Sequence, residues 1–188
     1  MLAAVAAVPR AEFVPREART RAYLDAPLPI PHGQVTTQPS LVGRMVSALA
    51  LAGSERVLEI GTGYGWQTAL LATLATEVFS VERFADVAET ARTHLRGFPN
   101  AHVVVGDGSA GLPEHARYEA VLVSAAFPRV PEPLAAQLAE GGTLVQPLGW
   151  GGADEVVAFE RAGGELVRRS FVSGAHFVRL VGVHGFDE

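Results

Sequence analysis

The sequence predicts an α/β fold: a mostly parallel, doubly wound sheet flanked by helices and ending in an antiparallel element. Three observations carry this. Apolar runs of strand length recur from Val57 onward, separated by segments of helical length. The first run enters a turn with glycine at every second position, Gly61, Gly63 and Gly65. Near the end, the alternation gives way to two strand-like runs around Arg161-Ala162-Gly163-Gly164.

Residues 1 to 39 are loop-rich, with prolines at 9, 15, 27, 29, 31 and 39, and short helices are expected at Ala3–Val8 and Glu17–Tyr23. Ser40–Leu51 has Leu41, Met45 and Leu49 at helical spacing behind Gln38-Pro39, a helix start. Val57–Ile60 is a buried strand, and the glycine turn leads to a helix from about Trp66 to Ala75. Val78–Val81 is a second strand, Asp86–Leu95 a helix and Val103–Val105 a third strand. Val121–Val123 is a fourth, and a helix near Pro133–Leu138 leads through Glu140-Gly141-Gly142 to a fifth, Thr143–Gln146. In the tail, Glu155–Glu160 and Glu165–Val172 read as two strands, and His176–Val183 as a further extended segment.

Composition bounds the function. The chain has 188 residues, 48% of them hydrophobic and 19% charged, which describes one globular domain. All 15 basic residues are Arg, a compositional bias and not a functional signal. The net charge of −5 and the lack of any Arg run argue against nucleic acid, whose binding needs a basic surface to displace counterions. The absence of Cys excludes disulfides, thiolate metal sites and Cys nucleophiles. No stretch approaches the roughly 18 apolar residues that span a bilayer, and Met1 to Val8 is too short for a leader. A cytoplasmic protein without membrane attachment is the expectation.

Val57-Leu58-Glu59-Ile60-Gly61-Thr62-Gly63-Tyr64-Gly65 is the strongest motif. Glycine there lets backbone amides approach a ligand, and the next helix adds donors at its N-terminus. The spacing is G-x-G-x-G; Trp66 stands where a nicotinamide fingerprint wants its third Gly, and no Lys-Ser/Thr ending of a P-loop follows. Glu82 closes the second strand roughly 20 residues beyond Gly61, the offset at which an acid accepts ribose hydroxyls. Gly106-Asp107-Gly108 follows the third strand, with Asp107 available to an adenine amino group. Alone, Glu82 reads as a solvated strand end. Together, at successive strand C-termini, the three elements point to a nucleoside-bearing cofactor.

These elements resemble the cofactor motifs of class I S-adenosylmethionine methyltransferases over about Val57 to Gly149. A narrower resemblance, to the protein-L-isoaspartate O-methyltransferases, covers nearly the whole chain. It rests on Val8-Pro9-Arg10-Ala11-Glu12-Phe13-Val14-Pro15, on Ala22-Tyr23 through Leu28-Pro29-Ile30, and on His32-Gly33-Gln34-Val35-Thr36-Thr37-Gln38-Pro39. Val81-Glu82-Arg83, Val105-Gly106-Asp107-Gly108, Ser124-Ala125-Ala126, Pro147-Leu148-Gly149 and His176-Phe177-Val178 complete it. The resemblance implies a Rossmann-like class I methyltransferase fold with an antiparallel C-terminal hairpin. It divides the single domain into a substrate or cap region (1–52), a cofactor core (53–150) and C-terminal strands (151–188). S-adenosylmethionine would be held by Val35, Thr36, Thr37, Glu59, Gly61, Thr62, Gly63, Gly65, Glu82, Arg83, Gly106, Asp107 and Gly108, and released as S-adenosylhomocysteine. Thr37 would be the catalytic residue, with Gln38, Ala126 and Val178 joining it against an isoaspartyl peptide. A monomer is expected.

The chain departs from the family pattern in places. The family carries Thr-Ile-Ser before Gln-Pro, so its active-site Ser falls on Thr37, which keeps the hydroxyl but adds a methyl and a stiffer χ1. Glu119 replaces the usual Asp, Arg179 the Pro after Phe-Val, and Val181 a Thr; the family's opening helix is largely missing before Val8. On the bare residues, Thr36-Thr37 reads as a helix cap, Trp66 and Phe127 as packing, and Arg129 and Arg179 as solvated charges. The six histidines show no metal spacing, so no metal is expected. Two other readings stay open: an O-methyltransferase acting on an Asp of a dedicated peptide or on a small carboxylate, and an inactive cofactor-binding interaction module.

Overall fold

The structure, a computed structural model, describes residues 2–187. Its N-terminal part holds helix α1 (Leu2–Ala7), two 3-10 turns (Arg10–Phe13 and Arg16–Arg21) and two short paired strands, β1 (Leu28–Pro29) and β2 (Val35–Thr36). Helix α2 (Pro39–Ala48) follows, then β3 (Arg56–Ile60), α3 (Trp66–Ala72), β4 (Glu77–Glu82), α4 (Ala85–His94), β5 (Ala101–Val105) and β6 (Tyr118–Val123). Helix α5 (Glu132–Gln137) leads to β7 (Leu138–Leu148), β8 (Asp154–Ala162) and β9 (Glu165–Ala175).

Seven strands form one sheet in the order β5-β4-β3-β6-β7-β8-β9. The first five in that order pair in parallel, while β8 and β9 run antiparallel beside β7. The expected parallel sheet with an antiparallel end is therefore observed. From β3 the chain winds outward to β4 and β5, then crosses back to β6 on the other side. The β3/β6 boundary is the topological switch point, where open α/β sheets bind ligands.

Alternation along the strands divides the core. Val57, Val78, Ala120 and Leu122 pack with α2 and α3, whereas Leu58, Ile60, Phe79, Val81, Val121 and Val123 pack on the opposite face. Two polar residues interrupt the first face. Glu59 and Ser80, partners in the β3–β4 ladder, are both fully buried.

The expected elements differ from the structure mainly at their ends. Helix α3 stops three residues early because the Asn100 side-chain amide donates to the carbonyls of Ala72 (2.9 Å) and Ala75 (3.3 Å). Strand β7 starts at Leu138 because Tyr118 already pairs there, ahead of a register shift before Ala120. The segment expected as a helix at Glu17–Tyr23 is a 3-10 turn at Arg16–Arg21. His176–Val183 does not become a sheet strand. It makes a single bridge between Arg179 and Ala126, then folds back so that Val181 pairs with Phe186.

Candidate active site

A crevice of about 470 Å³ opens at the C-terminal ends of β3 and β6. Its floor is the turn after β3, where Gly61, Gly63 and Gly65 all take positive φ (94°, 55° and 89°). The requirement is sharpest at Gly65, where a Cβ would also lie 3.1 Å from Leu95 Cδ1.

Beneath the turn lies a buried polar network. Glu59 accepts hydrogen bonds from Gln67 Nε2 (2.9 Å), Thr68 Oγ1 (2.5 Å) and Ser80 Oγ (2.6 Å), and the Ser80 hydroxyl also bonds Thr62 Oγ1 (2.6 Å). Burial pushes the Glu59 carboxyl up to about 7, against the pull of those three donors. Gln67 Nε2 also donates to Ser124 Oγ (2.9 Å), so one amide from α3 joins β3 to the turn after β6. Glu59 thus lies under the cradle and does not line the crevice.

Glu82 ends β4 at the crevice wall. Its carboxylate accepts the backbone N–H groups of Gly63 (2.9 Å) and Phe84 (3.1 Å), which fixes it against the glycine turn. The remaining lone pairs can serve a ribose diol. Asp107 lies just outside, in an adjoining depression shared with Arg83, Gly106 and Val183. Its carboxylate accepts Ser109 N (2.8 Å), Ser109 Oγ (2.6 Å) and Val183 N (2.8 Å). Partial burial opposes its charge, but these bonds prevail and hold the carboxyl below its ordinary value. Asp107 thereby ties the C-terminal segment to the β5 turn.

The opposite wall is built from the segment before α2. Thr36 and Thr37 are held by Arg10, a guanidinium only 2% exposed. Arg10 donates to Ala22 O (2.8 Å), Thr36 Oγ1 (2.8 Å) and Thr37 O (3.0 Å), with longer contacts to the carbonyls of Leu24, Ala26 and Thr36. It also lies over the Trp66 ring at 5.5 Å, and the Trp66 indole N–H donates to Val8 O (3.1 Å). Burial lowers the Arg10 pKa and the charge of Asp25 opposes this; the group stays cationic.

With its carbonyl on Arg10, Thr37 lines the crevice, and its hydroxyl has no hydrogen-bond partner among the described residues. The threonines do not cap α2. Gln38 is at the cap position but its side chain makes no capping bond to the helix backbone, Pro39 opens the helix, and Asp25 accepts Ser40 N (2.9 Å) and Gln38 Nε2 (2.9 Å). At the rim, His32 bonds Asp86 (2.9 Å) and stacks on Phe84 at 4.1 Å, fixing the β1–β2 turn.

Of the residues expected at the site, Val35, Thr36, Thr37, Gln38, Gly61, Thr62, Gly63, Gly65, Glu82, Arg83, Gly108 and Val178 line the crevice. Ala126 is buried behind it; its N–H donates to Val178 O (2.8 Å) and its carbonyl accepts Leu180 N (2.8 Å), which pins the tail across the end of β6. Sequence reasoning missed Arg10, Gln67 and Ser80. Ser80 left a signal: a lone polar residue inside an apolar strand, matching Glu59 in the strand before. Arg10 left none beyond its place in the N-terminal motif.

Comparison with known proteins shows the family and the fold. The family model described as Protein-L-isoaspartate(D-aspartate) O-methyltransferase (PCMT) matches residues 1–185. The protein-L-isoaspartate O-methyltransferase of Koribacter versatilis is 44% identical over 189 residues, covering 100% of this chain and 85% of that protein. A solved protein-L-isoaspartate O-methyltransferase superposes with a TM-score of 0.85 and 28% identity over 97% of this chain, which spans 61% of that longer chain. A Plasmodium falciparum structure solved with S-adenosyl-L-homocysteine shares the fold, with a TM-score of 0.78 at 20% identity over 95% of this chain and 88% of that one.

Proposed function

Because this chain belongs to the protein-L-isoaspartate(D-aspartate) O-methyltransferase family, we propose that its crevice brings S-adenosylmethionine and the free carboxylate of an isoaspartyl residue together for methyl transfer. The chain is an S-adenosylmethionine-dependent O-methyltransferase acting in protein repair. The observation that carries the site assignment is one continuous crevice. It has the glycine turn and Glu82 at one end and the unpartnered Thr37 hydroxyl at the other.

The residues fit the cofactor. The positive-φ turn leaves room for a ligand against the backbone, and the Glu82 carboxylate faces the same space with acceptor capacity to spare. When bound, the cofactor supplies an electrophilic methyl group on a sulfonium. Glu82 would accept the ribose hydroxyls, and Gly61 to Gly65 would seat the amino-acid portion. An acceptor carboxylate with a pKa of about 4 is ionised at neutral pH, so no general base is needed. The chain's task is to position the acceptor and strip its water. Thr37 would donate its hydroxyl to the acceptor oxygen that does not react, while Gln38 and the Val178 backbone hold the peptide. A methyl ester is a better leaving group than a carboxylate, so the neighbouring backbone nitrogen can close a succinimide.

The test compares an isoaspartyl peptide with its normal Asp twin as methyl acceptor. Methylation of the isoaspartyl form alone is expected. Equal rates on both would count against repair, and no transfer to either would favour an interaction module. The reading extends to a cytoplasmic monomer. No described helix is long and apolar enough to cross a membrane. Sedimentation at working concentration checks the monomer.

A further inference from the structure

At the acceptor end of the crevice the tail carries a fixed cation. Arg179 lines the crevice, its Nε donates to Trp150 O (2.9 Å), and its guanidinium lies 5.1 Å from the Phe186 ring centroid. Phe186 in turn packs edge-on against Phe127 (5.1 Å) and tilted against Trp150 (5.7 Å). Trp150 is 70% exposed, a large apolar surface beside a charge. Backbone and ring contacts therefore hold the guanidinium of this exposed residue, and its Nη groups bond no described residue.

No described carboxylate compensates the charge of Arg179. Among the described residues, Arg56, Arg92, Arg161, Arg168 and Arg169 each pair with a Glu, but no carboxylate comes within ion-pair distance of Arg179. The nearby Asp154 has turned inward, where it accepts the N–H groups of Gly151, Gly152 and Phe177. Arg44, the cation on the α2 side of the crevice, donates to Ser173 Oγ (3.2 Å) and lies in the field of Asp25. Arg179 is thus a preorganised cation at the acceptor mouth of a chain whose net charge is −5. That overall charge repels acidic peptides, so a local cation decides whether one is admitted.

Resting on the reading of the crevice as an isoaspartyl methyltransferase site, we propose that Arg179 is a specificity residue favouring substrates with a Glu or Asp side chain on a residue flanking the isoaspartyl unit. The flanking carboxylate takes the Nη groups, and the adjoining peptide lies on the exposed face of Trp150. This contact is separate from the methyl acceptor, so it changes which peptides are chosen and not the chemistry.

The test uses the full chain and isoaspartyl peptides of equal length that carry Glu or Gln at each flanking position, with normal Asp twins as controls. The wild type should favour the Glu peptide in kcat/KM by about five-fold at low salt, near the upper range for an exposed ion pair. The preference should shrink in high salt, where the Debye length is short. Arg179→Gln should bring the ratio close to one, and Arg179→Glu should reverse it. Equal use of both peptides by the wild type, or a preference that survives Arg179→Gln, overturns the assignment while leaving the repair reading intact. If no isoaspartyl peptide accepts a methyl group, both fall together.

Discussion

Replacing Arg10 by Met keeps most of the side-chain volume and deletes the guanidinium that holds the acceptor wall. Three of its bonds are short, to Ala22 O and Thr36 Oγ1 at 2.8 Å and to Thr37 O at 3.0 Å. Each buried acceptor left without a donor costs on the order of 1–3 kcal/mol, and relief of the cation's own desolvation offsets part of that. A net loss of about 3 kcal/mol follows, which in a chain of this size lowers Tm by roughly 6–12 °C. Function should suffer more selectively. Thr37 loses the bond that fixes its carbonyl, and a displacement of about 1 Å at a reacting centre can cost around 100-fold in rate. Glu82 lies on the other wall and the glycine turn on the floor, so cofactor affinity should change far less than kcat. Arg10→Lys should recover only part of both losses, because an ammonium cannot span the forked set of carbonyls. Thermal melts, calorimetry with S-adenosylmethionine and steady-state methylation of an isoaspartyl peptide separate these effects. A Tm within about 2 °C of wild type together with unchanged kcat would refute the reasoning.

Three other perturbations probe the site. Thr37→Val removes the unpartnered hydroxyl and should cut turnover by about tenfold or more with cofactor affinity nearly unchanged, while Thr37→Ser retains activity; methylation kinetics beside calorimetry decide it. Glu82→Gln leaves a single acceptor oxygen where Gly63, Phe84 and a ribose compete, so cofactor Kd should rise by about tenfold or more; an unchanged titration would remove Glu82 from the site. Glu59→Gln tests the buried network through pH. The folded carboxyl titrates at about 7 against 4.5 when unfolded, so between those values the native state holds the extra proton and stability falls as pH rises. The wild type should therefore lose on the order of 3 kcal/mol from about pH 4.5 to 7, with no further loss from this group above that. Gln mimics the protonated acid, so denaturant melts of the variant should show a flatter profile across that window. An identical slope in both proteins would show that Glu59 does not titrate there.

The amino-acid sequence alone determined the features that depend on neighbours along the chain. The sheet and its helices follow from runs of apolar residues such as Val57–Ile60 and Val78–Val81. The glycine turn follows from backbone geometry that few other residues adopt, and Glu82 from its place at a strand end. Thr37 became a candidate only through the surrounding motif, because locally a threonine before Gln-Pro is indistinguishable from a cap. Tertiary structure decided the rest, where the partners lie far apart in the chain. The α2 cap comes from Asp25, 15 residues before the N–H it accepts, and Asp107 reaches across 76 residues to Val183. Arg10 is a buried cation because carbonyls from residues 22 to 37 converge on it, and Arg179 has no ion pair among the described residues while the Asp154 carboxylate is taken up by backbone N–H groups. Residue spacing encodes torsion preference and burial, whereas the pairing of polar groups depends on which distant segments packing brings together.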